Sequence, residues 1–217
     1  MKRLSTLFIM LAIMLVGFNP ATAQSFEGRI VYGIEYLELP AEMRGMEAML
    51  PSSMEMFLKG SKIAMEQGMM GGTQTVIYDS EGESSYVLMD MMGMKVALEV
   101  TEEETQEALE EVGEPDIEYV NEVRDIAGYK CYKAIVSADS SSVEVWYTKE
   151  IQSANHMNFK TLDGFPLQYV SVDQGMKIQI TANTIEKLAQ PDAKFEIPEG
   201  YEIKTMEEFT KMMGGGR

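Results

Sequence analysis

Ser53-Met54-Glu55-Met56-Phe57-Leu58-Lys59, followed by Gly60-Ser61 and then Lys62-Ile63-Ala64-Met65-Glu66-Gln67, reads as two strands joined by a tight turn. In the first run Met54, Met56 and Leu58 alternate with Glu55, Phe57 and Lys59. A period of two sends the two sets to opposite faces of a sheet. The first set is wholly apolar, so one face of this hairpin belongs to a core.

Working outward, the same pattern recurs along the chain. Phe26–Leu39 is a long strand with Ile30, Tyr32, Ile34 and Tyr36 on one face. Thr73–Tyr78, Ser85–Met91 and Met94–Val100 follow the hairpin, joined by Asp79-Ser80-Glu81-Gly82 and a turn at Gly93. Later strands are expected at Ile117–Ile126, Tyr129–Ala138, Ser142–Thr148, Leu167–Asp173 and Met176–Leu188. Many strands with short turns indicate an antiparallel sheet, barrel or half-barrel. Three short helices interrupt it. Pro40 starts one, with Met43, Met46, Met49 and Leu50 at helical spacing until Pro51. Thr101-Glu102-Glu103-Glu104 and Thr205-Met206-Glu207-Glu208 are capping boxes that open the other two.

The N-terminus reads as a secretory leader over residues 1–23. Lys2 and Arg3 precede an apolar stretch from Leu7 to Phe18, too short to span a bilayer, and Ala21-Thr22-Ala23 is a cleavage pattern. Cleavage there leaves 194 of the 217 residues and carries away two basic groups, moving the net charge from −17 to −19. One domain over residues 24–213 is expected, with 214–217 as a flexible glycine tail. No later stretch is apolar enough to span a membrane. A chain this acidic repels nucleic acid and anionic membranes, and a monomer located in the periplasm or outside the cell is expected. Cys131 has no partner in the chain and reads as a small buried hydrophobe in a strand.

Catalytic motifs are missing. Gly-x-Ser-x-Gly, His-Glu-x-x-His and Cys-x-x-Cys do not occur. Gly68-Met69-Met70-Gly71-Gly72 lacks the Gly-Lys-Ser/Thr of a phosphate loop. His156 is the only histidine and lies in a polar loop. The acidic run from Glu102 to Asp116 lacks the spacing of a calcium loop and reads as a solvated helix face. The chain is expected to be no enzyme and to need no cofactor.

Methionine is the unusual resource: 20 of 217 residues. Its side chain is flexible and polarizable, suited to adaptable apolar surfaces. Met43, Met46 and Met49 form a stripe on a helix that can cover the open face of a curved sheet, a setting for a ligand with an irregular apolar tail. The soft thioether also suits Cu(I). Met69-Met70 and Met89-Met91-Met92-Met94 supply enough sulfur for that alternative, although Met91 and Met92 point to opposite faces if the strand continues.

From Ile126 onward the residues carry a resemblance. Ile126-Ala127-Gly128-Tyr129-Lys130-Cys131-Tyr132-Lys133-Ala134, Val143-Glu144-Val145-Trp146-Tyr147-Thr148 and Leu162-Asp163-Gly164-Phe165-Pro166-Leu167 occur in an order that resembles the DUF4412 family of exported proteins. The closing Phe195-Glu196-Ile197-Pro198-Glu199-Gly200-Tyr201 fits as well. That family is similar to the lipoprotein-carrier (LolA/LppX-like) superfamily. The resemblance implies a mainly β (α+β) fold: a curved antiparallel half-barrel with a few short helices over its concave face. It further implies a non-enzymatic carrier of a lipid, an apolar small molecule or the acyl chains of a lipoprotein. The expected lining is Met43, Met46 and Met49 from the lid, and Met54, Met56, Leu58, Met94, Leu98 and Trp146 from the sheet. The alternative is a structural or protein-interaction module of the envelope whose half-barrel is filled.

Overall fold

The computed structural model describes residues 25–212, apart from 70, 80, 82–83, 102, 105–114, 139–140, 154–158, 160 and 174. The leader, the glycine tail, His156 and most of the acidic run 102–114 lie outside the described residues.

The chain builds β1 (Gly28–Glu38), β2 (Ser53–Lys59), β3 (Lys62–Met69), β4 (Gly72–Asp79), β5 (Ser84–Met91) and β6 (Met94–Thr101). It continues with β7 (Asp116–Ile126), β8 (Tyr129–Ala138), β9 (Ser141–Thr148), β10 (Phe165–Asp173), β11 (Met176–Glu186), β12 (Glu202–Thr205) and the helix α1 (Met206–Met212). All twelve strands form one sheet in the order β12-β6-β5-β4-β3-β2-β1-β11-β10-β9-β8-β7. Hairpins run outward from β1 on one side and from β11 on the other, and β1 pairs with β11 to close the middle. The sheet is curved and open, and antiparallel apart from the β12–β6 pair. The mainly β expectation holds. β12 is an addition that the residue pattern did not announce.

Register defines two faces. Ile30 lies opposite Met56, which faces Met65, then Val76, Val87 and Leu98. Directly paired residues share a face, so these six form one row across six strands. On the other side, Ile34, Ile180, Tyr169, Val145, Ala134 and Tyr119 continue the same face across β11 to β7. The main cluster is built on this core face, from Ile30, Tyr32, Met56, Leu58, Leu167, Tyr169 and Ile180 among others.

The back face has its own cover. After β11 the chain runs across the back of the sheet as a strap. Phe195 packs on Phe57 and Ala64, and Ile197 and Tyr201 pack against Ile77, Leu88 and Ala97. Lys59 Nζ ties the start of the strap down, donating to Gln190 O at 2.9 Å and to Asp192 at 2.8 Å. Lys194 pairs with Glu66 at 2.8 Å and stands 4.2 Å above the Phe57 ring. The strap ends in β12, parallel to β6. Phe57, on the charged side of the alternation read from sequence, is thereby buried.

The expected helix between Pro40 and Pro51 is not one helix. It is two single 3-10 turns, Ala41–Met43 and Glu47–Met49. Gly45 between them sits at φ +86°, in the left-handed region where a right-handed helix cannot continue. The Gly45 amide instead donates to the Glu47 carboxylate at 3.0 Å. Both capping boxes form as expected. Thr101 N donates to Glu104 Oε2 at 2.8 Å while Glu104 N donates back to Thr101 Oγ1 at 3.2 Å. Thr205 and Glu208 repeat the exchange at 3.0 and 3.2 Å, opening α1.

Candidate functional site

The nine expected lining residues separate into four groups. Met54, Met56 and Leu58 lie on the core face, but inside the packed cluster: Met56 and Leu58 have no exposed surface. They are structural core in this fold. Met94 and Leu98 lie on the same face further out, on β6; Leu98 is buried and Met94 half-buried. Met43, Met46 and Met49 do not form a buried stripe. Met46 and Met49 are exposed, and neither 3-10 turn buries a residue. The broken helix removes the 3.6-residue period that would have aligned them.

Trp146 is buried and belongs to the same main cluster as Met54, Met56 and Leu58, but its register places it on the back face. Its register partners are Lys133 and Gln168, whereas Val145 beside it faces the core. The indole carries the Arg124 guanidinium 3.8 Å from its ring centroid and Lys133 Nζ at 5.9 Å. Lys133 in turn pairs with Glu144 at 2.8 Å and Glu122 at 3.4 Å. Trp146 therefore anchors a cation–π and ion-pair patch, on the opposite side of the sheet from Met54 and Met94.

Cover over the core face comes from the β9–β10 loop. Ile151, Phe159 and Leu162 of this loop are buried in the main cluster. The Phe159 ring meets Tyr169 edge-on at 4.9 Å, and Asp163 N donates to the Tyr119 hydroxyl at 2.9 Å. Cys131 is buried, and burial pushes its thiol up to about 11, which keeps it protonated and unreactive at neutral pH.

What remains accessible on the core face is its outer part, on β3 to β6. Val76, Val87, Met89, Met91 and Met94 are half-buried and join none of the packed clusters of described residues. Val96 beside them is buried. Near the turn end, Met69, Gly72, Met91 and Met94 form one row. Met92 leaves that row at φ 52° and is 95% exposed. One polar pair interrupts the apolar surface: Gln67 Nε2 donates to Gln74 Oε1 at 2.8 Å. Sequence reasoning missed Val76, Val87 and the two glutamines, and offered Met89 and Met91 only to the Cu(I) alternative. In Ser85-Tyr86-Val87-Leu88-Met89 both alternating sets are apolar, because both faces of β5 are covered or apolar, so alternation selects no face. Among the described residues no three His, Cys, Asp or Glu gather as metal ligands, and no helix is long and apolar enough to cross a membrane.

The chain is similar to the solved structure of PNGF-II, with a TM-score of 0.56 at 15% identity, over 88% of this chain and 34% of that one. The likeness is one of fold, and the chain spans about a third of PNGF-II. It is also similar to the Mycobacterium tuberculosis lipoprotein LppX, with a TM-score of 0.41 at 9% identity over 76% of this chain and 89% of that one. For LprF from Mycobacterium bovis the TM-score is 0.33 at 10% identity, over 82% and 91%. No curated protein matches the chain. The family described as "Domain of unknown function (DUF4412)" matches residues 41–158, more than half of the sequence, and the chain belongs to that family.

Proposed function

We propose that this is an exported, non-enzymatic binding protein that holds an apolar ligand, a lipid or the acyl chain of a lipoprotein, on the outer part of the core face. One observation carries the reading. The same face that is tightly filled on β1, β2 and β8–β11 continues on β4–β6 as apolar side chains, of which Val96 and Leu98 are buried while Val76, Val87, Met89, Met91 and Met94 are half-buried and join no packed cluster of described residues. Apolar surface left beside a packed core is where a flexible hydrocarbon gains most from burial, about 25 cal/mol per Å² removed from water. Methionines suit an occupant of irregular shape. The reading accords with the carrier role that the family resemblance implies.

Titration with diphenylhexatriene, a hydrocarbon whose fluorescence rises on leaving water, tests it. The protein is expected to bind the probe saturably. Met89→Glu, which puts a charge on the accessible face, is expected to abolish that binding, while Thr75→Glu on the back face leaves it intact. No saturable binding by the wild type, or indifference to Met89→Glu, rejects the reading. A second reading, a filled structural module, is favoured by the complete burial of Met56 and Leu58 and predicts that first negative result.

A further inference from the structure

Gln67 and Gln74 stand directly opposite each other on β3 and β4. Their row continues to Met54 on one side and to Met89 on the other. The row above holds Met65 and Val76, and the row below Met69 and Gly72. Two amides are thus set into a surface otherwise made of thioethers, Val and Gly.

A carboxamide offers one oxygen acceptor and two N–H donors. The mutual bond consumes one N–H of Gln67 and one lone pair of Gln74. It leaves the Gln74 amide donors and the Gln67 oxygen to be satisfied from outside the pair. Turning both amides over exchanges the two roles and leaves the same complement. Both residues are half-buried, so covering this surface with hydrocarbon alone takes those groups from water and leaves their hydrogen bonds unmet. An occupant that presents its own acceptor and donor at this place avoids that cost.

We propose that the Gln67–Gln74 pair is the polar anchor of the apolar site and recognises the neutral head of an acylated ligand, an ester or amide with a hydroxyl or N–H beside it. The ester carbonyl accepts from Gln74 Nε2, and the neighbouring hydroxyl donates to Gln67 Oε1. An anionic head has no proton for Gln67 Oε1 and meets a chain of net charge −17. This inference rests on the apolar-ligand reading above and names the class of ligand for it.

The test uses three probes on the full protein: diphenylhexatriene for the apolar surface, monopalmitoylglycerol for the neutral ester, and palmitate for the anionic head. The wild type is expected to bind monopalmitoylglycerol more tightly than palmitate. Gln67→Leu with Gln74→Leu is expected to weaken monopalmitoylglycerol about tenfold and leave diphenylhexatriene unchanged. Gln74→Met keeps the length of the side chain, adds no charge to the face and removes the free donor. It predicts the same selective loss, and it decides the matter if the double variant folds poorly. Unaltered monopalmitoylglycerol affinity in a variant that still binds diphenylhexatriene overturns the anchor and leaves the apolar site standing. Failure of every protein to bind diphenylhexatriene overturns both.

Discussion

The Tyr32 hydroxyl, on β1, donates to the Pro166 carbonyl on β10 at 3.0 Å, reaching past the intervening strand β11. The carbonyl is available because β10 shifts register between Pro166 and Gln168, a bulge that takes a ladder group out of the sheet. Tyr32 has no exposed surface, and burial, with Tyr169 nearby, raises its hydroxyl well above the ordinary tyrosine range. Tyr32→Phe leaves the carbonyl unpartnered in the core. The expected cost is about 1–3 kcal/mol, read as a lower urea midpoint at unchanged slope.

The strap across the back face depends on Phe195, buried between Phe57 and Ala64. Phe195→Ala removes that plug and exposes Phe57. A loss of about 3 kcal/mol is expected, together with new binding of a dye that reports exposed apolar surface. Equal stability of the variant and the wild type would show that the Lys59 and Lys194 contacts hold the strap without the ring.

Met92 and Gly93 form the two-residue turn between β5 and β6, both at positive φ (52° and 87°). That geometry suits Asn-Gly, and an ordinary side chain in the left-handed region costs about 1 kcal/mol. Met92 is 95% exposed, so no packing is lost on substitution. Met92→Asn is expected to raise thermal stability by about that amount, measured by calorimetry.

Arg29 bridges three central strands, with Glu55 at 2.6 Å and Glu186 at 3.1 Å. The hydrogen bond from Arg29 holds the Glu55 carboxyl below its ordinary value of 4.5. A depressed carboxylate pKa contributes stability above the ordinary carboxylate range, and that contribution is lost as pH falls through the folded-state value. The pair is about one-third exposed, so the effect is about half a kcal/mol. Glu55→Gln is expected to flatten the fall in melting temperature between pH 6 and about pH 3, with little change at pH 3.

These relationships differ in how visible they are in the residues. The β2–β3 hairpin was readable because Met54, Met56 and Leu58 form a wholly apolar set alternating with Glu55, Phe57 and Lys59, and both capping boxes formed from Thr and Glu three apart. The accessible face was not readable. On β5 and β6 the strap makes the back face apolar too, so Leu88 and Ala97 look no different from Val87 and Leu98 in the sequence. Which parity faces the ligand side emerges only from register carried across six strands. Trp146 fell on the wrong side for the same reason, since both Val145 and Trp146 are apolar and buried. The methionine lid failed at one residue, Gly45, whose left-handed backbone outweighs the spacing of Met43, Met46 and Met49.

The central claim is that the outer core face carries an apolar occupant, and native mass spectrometry of the protein purified from the envelope of the cells that make it tests this most directly. The account predicts one non-covalent adduct of lipid mass per chain, released by an organic solvent and lost in Met89→Glu. The bare polypeptide mass alone, from gently purified wild-type protein, would contradict it.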